Sequence, residues 1–366
     1  MVLLCFYTMI QLIYRFSLLL VRLAYKSKLY SMLNILNKLT YIAVALPLLF
    51  LIGDNYLLLL IIATIMSSFV CVISSIVAQA KLWNGFRFED PDFHISQREL
   101  LKYGFPYIIS MGISTIFQAI DKISLNRYCS YTEVGIYAST TTLINVFNII
   151  QSTFNALWAP MAMEHYSKEK DDHSFYQKGN QLITVIMYFV GISLILCKDV
   201  FAFFLGEKYR EAAYILPFLI FNPIMYTISE TTVSGLVFAK KSTLQIVVAI
   251  GACVTNVIGN TILVPIYGAK GAAISTGLSY IVFFTLRTML SNRYFYVNFR
   301  LKQFYTLTAL VALYALYNTF ISFNIGTIIG YLICLIVLIV LYVQDVRWGI
   351  QYLINMANNW ILKRNN

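Results

Sequence analysis

The sequence predicts an all-α, polytopic membrane protein of about eleven transmembrane helices. Apolar residues make up 59% of its 366 positions and charged residues only 12%. Soluble domains are roughly 45–50% apolar and about 25% charged, so a soluble chain of this composition would lack a polar surface. A bilayer removes that need, because its hydrocarbon can face leucine, isoleucine and valine directly.

Apolar runs of about 20 residues, long enough to cross the hydrocarbon core, recur along the chain. The longest connection, residues 80–103, is polar and charged, and none is long enough for a soluble domain. Aromatic residues at helical spacing and basic ends predict that the tail, residues 347–366, is an amphipathic helix in the membrane interface. The predicted spans are 2–21, 31–52, 56–79, 104–125, 134–158, 180–197, 212–238, 243–264, 270–290, 303–321 and 325–344.

The distribution of basic residues predicts the orientation of these spans. One set of alternate connections contains 18 lysines and arginines, whereas the other set contains 5. Because positive residues concentrate on the cytoplasmic side, we expect the first set and the C-terminus to be cytoplasmic. The same scattering argues against binding of nucleic acid, which the net charge of +11 would otherwise suggest.

Cysteines and histidines give no pattern typical of a metal or cofactor site. The six cysteines include no CxxC pair, and most fall within apolar runs, which argues against zinc and against disulfides. The three histidines lie in polar connections. Because P-loop, GxSxG and zinc-protease motifs are also missing from the sequence, we expect no cofactor and no enzyme activity.

Charged residues within the spans are the first candidates for function. Each costs roughly 2.5–3.5 kcal/mol on insertion scales, so such residues tend to mark pathways or partners. Adjacent Asp121 and Lys122 point about 100° apart on a helix, so Asp121 needs a partner on another helix, such as Lys38 or Arg15. We expect Arg287, near the end of its span, to reach the headgroups. The remaining charged residue inside a span is Glu230.

Polar side chains share one face in each of five spans. Residues on one face of a helix recur at i, i+3, i+4 and i+7. A single polar stripe usually serves hydrogen bonding between helices, but five stripes favour a shared hydrated cavity. The stripes are Gln11 and Arg15; Asn34, Lys38 and Tyr41; Ser110, Ser114, Gln118 and Asp121; Thr141, Asn145, Asn148, Ser152 and Asn155; and Asn222, Tyr226, Ser229 and Glu230.

Small residues spaced by four in the eighth and ninth spans predict close helix packing rather than chemistry. Pro265 and Gly268 predict a tight turn between these two spans. The small residues are Gly251, Thr255 and Gly259, followed by Gly271, Ser275 and Ser279.

Four segments, in the same order, resemble the polysaccharide-exporter family that includes O-antigen flippases of the Wzx type. The family pattern is a Tyr-Gly-x-Pro start to a span, an acidic and a basic residue near its end, and Gly-Ile-Tyr opening the next helix. Here these are Tyr103, Gly104 and Pro106, then Asp121 and Lys122, then Gly135, Ile136 and Tyr137. The four segments are 101–127, 134–160, 204–219 and 263–276.

The resemblance implies a two-lobed exporter architecture with an incomplete first lobe. Members of the family usually have two lobes of six helices. Residues 1–80 would be the last three helices of the first lobe, joined by the cytoplasmic connection 81–103 to a second six-helix lobe, 104–291. Residues 303–345 would be two additional C-terminal helices, followed by the interfacial tail.

The resemblance also implies a flippase that carries polyprenyl-diphosphate-linked oligosaccharide, an O-antigen or capsule repeat unit, across the bacterial inner membrane by alternating access. Arg15 and Lys38 would meet the anionic diphosphate. The expected partners are this lipid-linked oligosaccharide and the bilayer, with other polysaccharide-assembly membrane proteins as further candidates. The candidate substrate-binding residues are Arg15, Lys38, Asp121, Lys122, Asn145, Asn148 and Glu230.

Other functions stay open at this stage. A cation-coupled drug antiporter would use Asp121 and Glu230 as proton or sodium sites, whereas a membrane enzyme of envelope polysaccharide assembly would need a long outer loop or a His/Asp pair. An inactive remnant or partner subunit is the third alternative. Basic residues dominating the cavity would favour an anionic lipid, and acidic residues would favour a cation.

Overall fold

The structure, a computed structural model, is almost entirely helical over the residues that it describes, as predicted. These residues are 2–23, 26–51, 56–78, 80, 97–170, 172–241 and 243–343. The predicted interfacial tail, 347–366, lies outside them, as does most of the connection 81–103. The chain divides into two compact units, Met1–Ile95 and Ser96–Asn366.

Three helices lie in the described part of the first unit, namely α1 (Val2–Leu23), α2 (Ser27–Leu51) and α3 (Tyr56–Ala78). Helix α3 packs against both α1 and α2. The Gln11 side-chain amide donates a hydrogen bond to the Ser68 hydroxyl at 2.8 Å, which satisfies one polar pair between α1 and α3. The polar residues of this unit therefore serve partly to join its helices.

The second unit contains the remaining helices, and polar caps begin three of them. Ser130, Asp172 and Asn324 each accept a hydrogen bond from a backbone N–H of the first turn that they precede, which satisfies donors that helix starts leave free. The helices are α4 (Gln97–Tyr128), α5 (Tyr131–Lys168), α6 (His173–Leu196), α7 (Lys198–Phe204), α8 (Ala212–Leu219), α9 (Phe221–Thr232), α10 (Ser234–Phe238), α11 (Thr243–Asn292), α12 (Leu301–Phe320) and α13 (Ile325–Leu341), with a 3₁₀ turn at Glu207–Tyr209.

The predicted seventh span, 212–238, forms three short helices, α8, α9 and α10, instead of one continuous helix. Pro217 and Pro223 lie within this stretch. A proline has no N–H to donate and its ring crowds the carbonyl four residues earlier, so two prolines close together favour breaks in a helix. The prediction of a span here is right, but its continuity was overestimated.

Helix α11 reverses direction at Gly268, where φ is 57° and ψ is −134°. Its two halves pack side by side, because the Ser275 hydroxyl donates to the Asn256 carbonyl at 2.9 Å. A Cβ atom at Gly259 would overlap the Ser275 side chain, and one at Gly271 would overlap the Leu263 carbonyl. The predicted turn and the close-packing role of these glycines are therefore confirmed.

Large apolar side chains are exposed along most of the helices. Leu12, Val77 and Ile336 are 71%, 73% and 58% exposed. Soluble monomers rarely expose so much contiguous apolar surface, whereas lipid tails cover it without cost. Five helical segments are long and apolar enough to cross a membrane within the described part of the chain, namely Lys28–Leu49, Leu58–Ala78, His173–Leu196, Ala212–Thr232 and Thr243–Asn292. The chain is a multi-pass membrane protein.

We predict that Gly259→Ala destabilises the second unit, because the added methyl group meets Ser275 of the adjacent half-helix. Overpacking of this kind costs about 1–3 kcal/mol. Thermal unfolding of the purified protein in detergent measures the effect. The control is Gly112→Ala on α4, where a Cβ meets no atom within 4 Å. Equal melting temperatures for the two variants would contradict the predicted helix contact.

Candidate functional site

A cavity of about 610 Å³ lies within the second unit. Its size falls in the range of roughly 300–1,000 Å³ that is typical of small-molecule sites. Helices α4, α5, α8, α9 and both halves of α11 contribute its walls. The polar lining residues are Gln118, Asp121, Lys122, Thr141, Asn145, Asn148, Gln151, Ser152, Asn222 and Thr276, and the aromatic ones are Phe117, Tyr137, Tyr226, Tyr280 and Phe283.

The predicted polar stripes of the fourth, fifth and seventh spans meet in this cavity. Four of the five stripe residues on α5 line it, and Asn155 does not. Ser110 and Ser114 belong to the stripe on α4, but their side chains lie outside what the structure describes. The stripes of α1 and α2 belong to the first unit. Three of the five stripes thus converge on a common site, as predicted for a cavity.

Asp121 lies in the wall of the cavity with 5% of its surface exposed. One carboxylate oxygen accepts hydrogen bonds from the side-chain amides of Asn256 and Asn260, at 3.2 and 2.9 Å. The other accepts from the hydroxyls of Tyr137 and Thr276, at 2.6 and 2.7 Å. Four neutral donors from α5 and both halves of α11 therefore surround one carboxylate on α4.

Within the second unit, Asp121 has hydrogen-bond partners that do not include the predicted cations, Lys38 and Arg15. Both carboxylate oxygens are already occupied by two donors each, and every donor is neutral and belongs to the second unit. Hydrogen bonds to a buried carboxylate stabilise it without a counter-ion, because each donor directs a partial positive charge at it. Asp121 thus joins helices through hydrogen bonds rather than through an ion pair.

Three of the candidate substrate-binding residues, Lys122, Asn145 and Asn148, also line the cavity. The Lys122 and Asn145 side chains are exposed, whereas Asn148 is partly buried. The Asn148 amide donates to the Asn145 carbonyl oxygen at 2.9 Å, which fixes the two side chains on one face of α5. The Asn148 carbonyl oxygen is buried and has no hydrogen-bond partner in the described part of the chain.

Glu230 does not line the cavity but forms a buried ion pair with Arg287. The distance between their charged atoms is 2.9 Å, and their side chains are only 11% and 8% exposed. Arg287 also donates to the Ser229 hydroxyl at 2.6 Å. The expectation that Arg287 reaches the headgroups is therefore wrong, because the Glu230 carboxylate, 57 residues away in sequence, holds it inside.

Arg287 lies over the rings of Tyr226 and Phe283, with its guanidinium carbon 5.7 and 5.5 Å from the ring centroids. These two rings stack on each other, with centroids 5.6 Å apart and an angle of 8° between their planes. Cation–π contacts of this kind hold aromatic rings in place. The Glu230–Arg287 pair thus holds two aromatic rings of the cavity wall in place without lining the cavity itself.

Arg15 and Lys38 lie on α1 and α2 of the first unit, and both side chains are exposed. Within the second unit, the charged lining residues are Asp121 and Lys122, one of each sign. Because Asp121 is saturated with hydrogen bonds and Lys122 is exposed, the charge that a ligand could reach in this cavity is positive.

Several residues that shape the site were not predicted. Asn256 and Asn260 are the clearest case, since their spacing of four in an apolar span is itself a polar stripe. Thr276 and Tyr137 lie among small or apolar residues and carry no such signal. The aromatic lining residues belong to apolar runs, where aromatic residues are ordinary packing residues.

A second polar cluster lies at the connection between α5 and α6. His165, Glu169 and Asp172 place possible ligand atoms within 4.8 Å of one another. The His165 ring contacts the Asp172 carboxylate at 3.0 Å, and the other Asp172 oxygen caps α6. These contacts give the cluster a structural role at the helix connection.

Residues 1–164 match the family model of polysaccharide biosynthesis proteins. The matched segment is somewhat less than half of the chain. The match confirms the resemblance that the sequence motifs indicate, and it includes helices α1 to α4 and most of α5. A search of curated proteins gives no match.

The fold is similar to that of a solved structure described as the lipid II flippase MurJ in an inward closed conformation. The TM-score is 0.58 at 15% sequence identity, and the match covers 87% of this chain and 67% of the MurJ chain. At this identity the likeness establishes the fold.

We predict that Asp121→Asn destabilises the protein by about 1–3 kcal/mol, because the new NH₂ group faces hydrogen-bond donors instead of accepting from them. Tyr137→Phe removes a single donor and should cost less. Thermal unfolding in detergent compares both variants with Glu211→Gln, which changes an exposed carboxylate. If Asp121→Asn melted like Glu211→Gln, the hydrogen-bond assembly would not hold these helices together.

Proposed function

We propose that the chain translocates polyprenyl-diphosphate-linked oligosaccharide, an O-antigen or capsule repeat unit, across the bacterial inner membrane. The observation that carries this proposal is a cavity of about 610 Å³ with amide, hydroxyl and aromatic walls, built from helices of a membrane protein. Polar groups within membrane spans are costly, so contact with lipid does not explain why so many are present here. The family match and the MurJ-like fold support the same class of function.

The proposed substrate divides chemically into three parts. The oligosaccharide is polar and suits a cavity with hydrogen-bonding walls, while the prenyl chain can stay in the hydrocarbon. The diphosphate is anionic, and we assign it to Arg15 and Lys38, with Lys122 as a further cation at the cavity. Arginine binds phosphate through paired hydrogen bonds, and lysine acts as a point charge.

Alternating access is the proposed mechanism. In this mechanism the substrate site opens first to the cytoplasm and then to the outer side. The helices around Asp121 would move as one body, because four hydrogen bonds join α4, α5 and both halves of α11. We also assign the C-terminus to the cytoplasmic side, on the distribution of basic residues.

A leaflet-exposure assay tests this function. The full-length protein is reconstituted into liposomes with polyprenyl-diphosphate oligosaccharide that carries a fluorophore on its sugar, and a membrane-impermeant reductant bleaches the outer leaflet. We expect the protected inner fraction to decay much faster than in protein-free liposomes. Equal decay with and without the protein would refute the proposal.

Neutralising the first-unit cations tests the diphosphate assignment in the same liposomes. We predict that Arg15→Gln combined with Lys38→Gln slows translocation at least about tenfold, because each charge-assisted contact to phosphate contributes about 1.5–3 kcal/mol. Lys28→Gln, which removes an exposed cation from the first turn of α2, is the matched control and should leave the rate unchanged. An unchanged rate in the double variant would show that these cations do not bind the diphosphate.

A cation-coupled antiporter is the second candidate, and Asp121 is the observation that favours it. Asp121 is a buried carboxylate whose partners in the structure are all neutral, whereas Glu230 is neutralised by Arg287. Efflux of cationic dyes from the same liposomes distinguishes the two functions. Dye efflux without movement of the oligosaccharide lipid would favour the antiporter.

A further inference from the structure

Four aromatic side chains form one continuous wall of the cavity, which we call the aromatic wall: Phe117, Tyr226, Tyr280 and Phe283. Phe117 meets Tyr280 edge to face, with centroids 5.3 Å apart. Tyr280 lies 6.1 Å from Phe283, and Phe283 stacks on Tyr226 at 5.6 Å. All four rings are only partly buried and all line the cavity.

Helix packing alone would not require a charged pair that holds the rings of this wall in place. Arg287 contacts the Tyr226 and Phe283 rings, and Glu230 and Ser229 hold the Arg287 guanidinium through hydrogen bonds. A buried ion pair is costly to desolvate and is weak support for stability by itself. Its position behind two cavity-lining rings gives it a specific role, which is to keep their orientation fixed.

The cavity also offers hydrogen-bonding groups beside the wall. Asn145, Asn148 and Gln151 on α5 and Gln118 on α4 line it. The Asn148 carbonyl oxygen is buried and lacks a partner in the described residues, so its capacity to accept a hydrogen bond is not used within this part of the protein. Amide side chains offer both donors and acceptors, which hydroxyl groups require.

We infer that the aromatic wall and the α5 amides form a subsite for one uncharged hexopyranose ring. The C–H face of a pyranose is apolar and slightly positive, so it stacks on the negative face of an aromatic ring. Its hydroxyl groups, or an acetamido N–H, point around the ring edge, where amides can meet them. This inference rests on the proposed function and specifies which part of the substrate the second unit binds.

Glu230 and Arg287 are positioning residues in this assignment, because they touch the wall and not the ligand. Tyr226 and Phe283 contact the sugar. The assignment separates the two chemical parts of the substrate, since the diphosphate is assigned to cations and the sugar to rings and amides.

Binding of two probes tests the subsite. The full-length protein in lipid nanodiscs is titrated with farnesyl diphosphate and with farnesyl diphosphate that carries a single N-acetylglucosamine. The ratio of the two dissociation constants measures what the sugar contributes. We expect the wild-type protein to bind the sugar-bearing probe at least about tenfold more tightly.

Substitutions in the wall should reduce this ratio and leave diphosphate binding unchanged. Tyr226→Leu and Phe283→Leu should each lower it about three- to tenfold, which is the range that aromatic stacking typically gives. Tyr226→Phe keeps the ring and should retain most of the ratio. Phe189→Leu, on an exposed aromatic residue of α6 outside the cavity, is the matched control.

A positioning role for Glu230 has its own readout. Glu230→Gln should lower the ratio of dissociation constants without changing the dissociation constant of farnesyl diphosphate. A Glu230→Gln variant that lost stability but kept the full ratio would show that the ion pair is structural only.

The outcomes separate this inference from the proposed function. If the wild-type protein bound both probes equally, or if Tyr226→Leu and Phe283→Leu kept the full ratio, the sugar subsite would be refuted while recognition of the lipid diphosphate stood. If the wild-type protein bound neither probe, the proposed function would fail, and the subsite would fail with it.

Discussion

The second unit depends on the burial of one carboxylate within a membrane protein. Asp121 can stay buried because four neutral donors from α5 and both halves of α11 direct their dipoles at it. Leaving such a group without partners costs several kcal/mol in a water-free interior. The need for hydrogen bonds to the Asp121 carboxylate therefore fixes how these helices pack. The glycines of α11 let its two halves come close together, which brings the hydrogen-bond donors within reach of Asp121.

The cavity is a consequence of the same arrangement. Hydrogen bonds to Asp121 hold α5 and α11 against α4 near this residue. Beside it, the polar faces of α4, α5 and α9 line the cavity instead of packing against one another. The Glu230–Arg287 pair then fixes two aromatic rings of the wall. The buried charges of this unit thus have structural partners, and the uncharged amides and rings are left to meet a substrate. This division suits the proposed function, which requires a polar headgroup to be bound and released again.

Sequence alone was sufficient for the helical class and for the convergence of three of the five polar stripes, because periodicity and apolar run length report directly on helices and their faces. It was insufficient for partners that depend on tertiary distance. Asp121 was assigned a cation because a charge within a span demands compensation, yet several neutral donors compensate it equally well. Arg287 was assigned to the headgroups because it lies near the end of its span, whereas its partner Glu230 is 57 residues away in sequence and cannot be paired with it by spacing. No sequence pattern indicated the aromatic wall, because phenylalanine and tyrosine in an apolar run resemble ordinary packing residues.

Water accessibility of the second-unit cavity in a membrane tests the central claim most directly. In a variant whose six native cysteines are replaced by serine or alanine, a single cysteine is introduced at Asn145 or at Ile336, which is 58% exposed on α13. Both positions lie near the middle of predicted spans, and a membrane-impermeant maleimide reports which one meets water. The account predicts that Asn145→Cys is labelled and that Ile336→Cys is not. Equal protection of both cysteines would mean that the cavity is dry, and that the polar residues of α5 serve only to hold helices together.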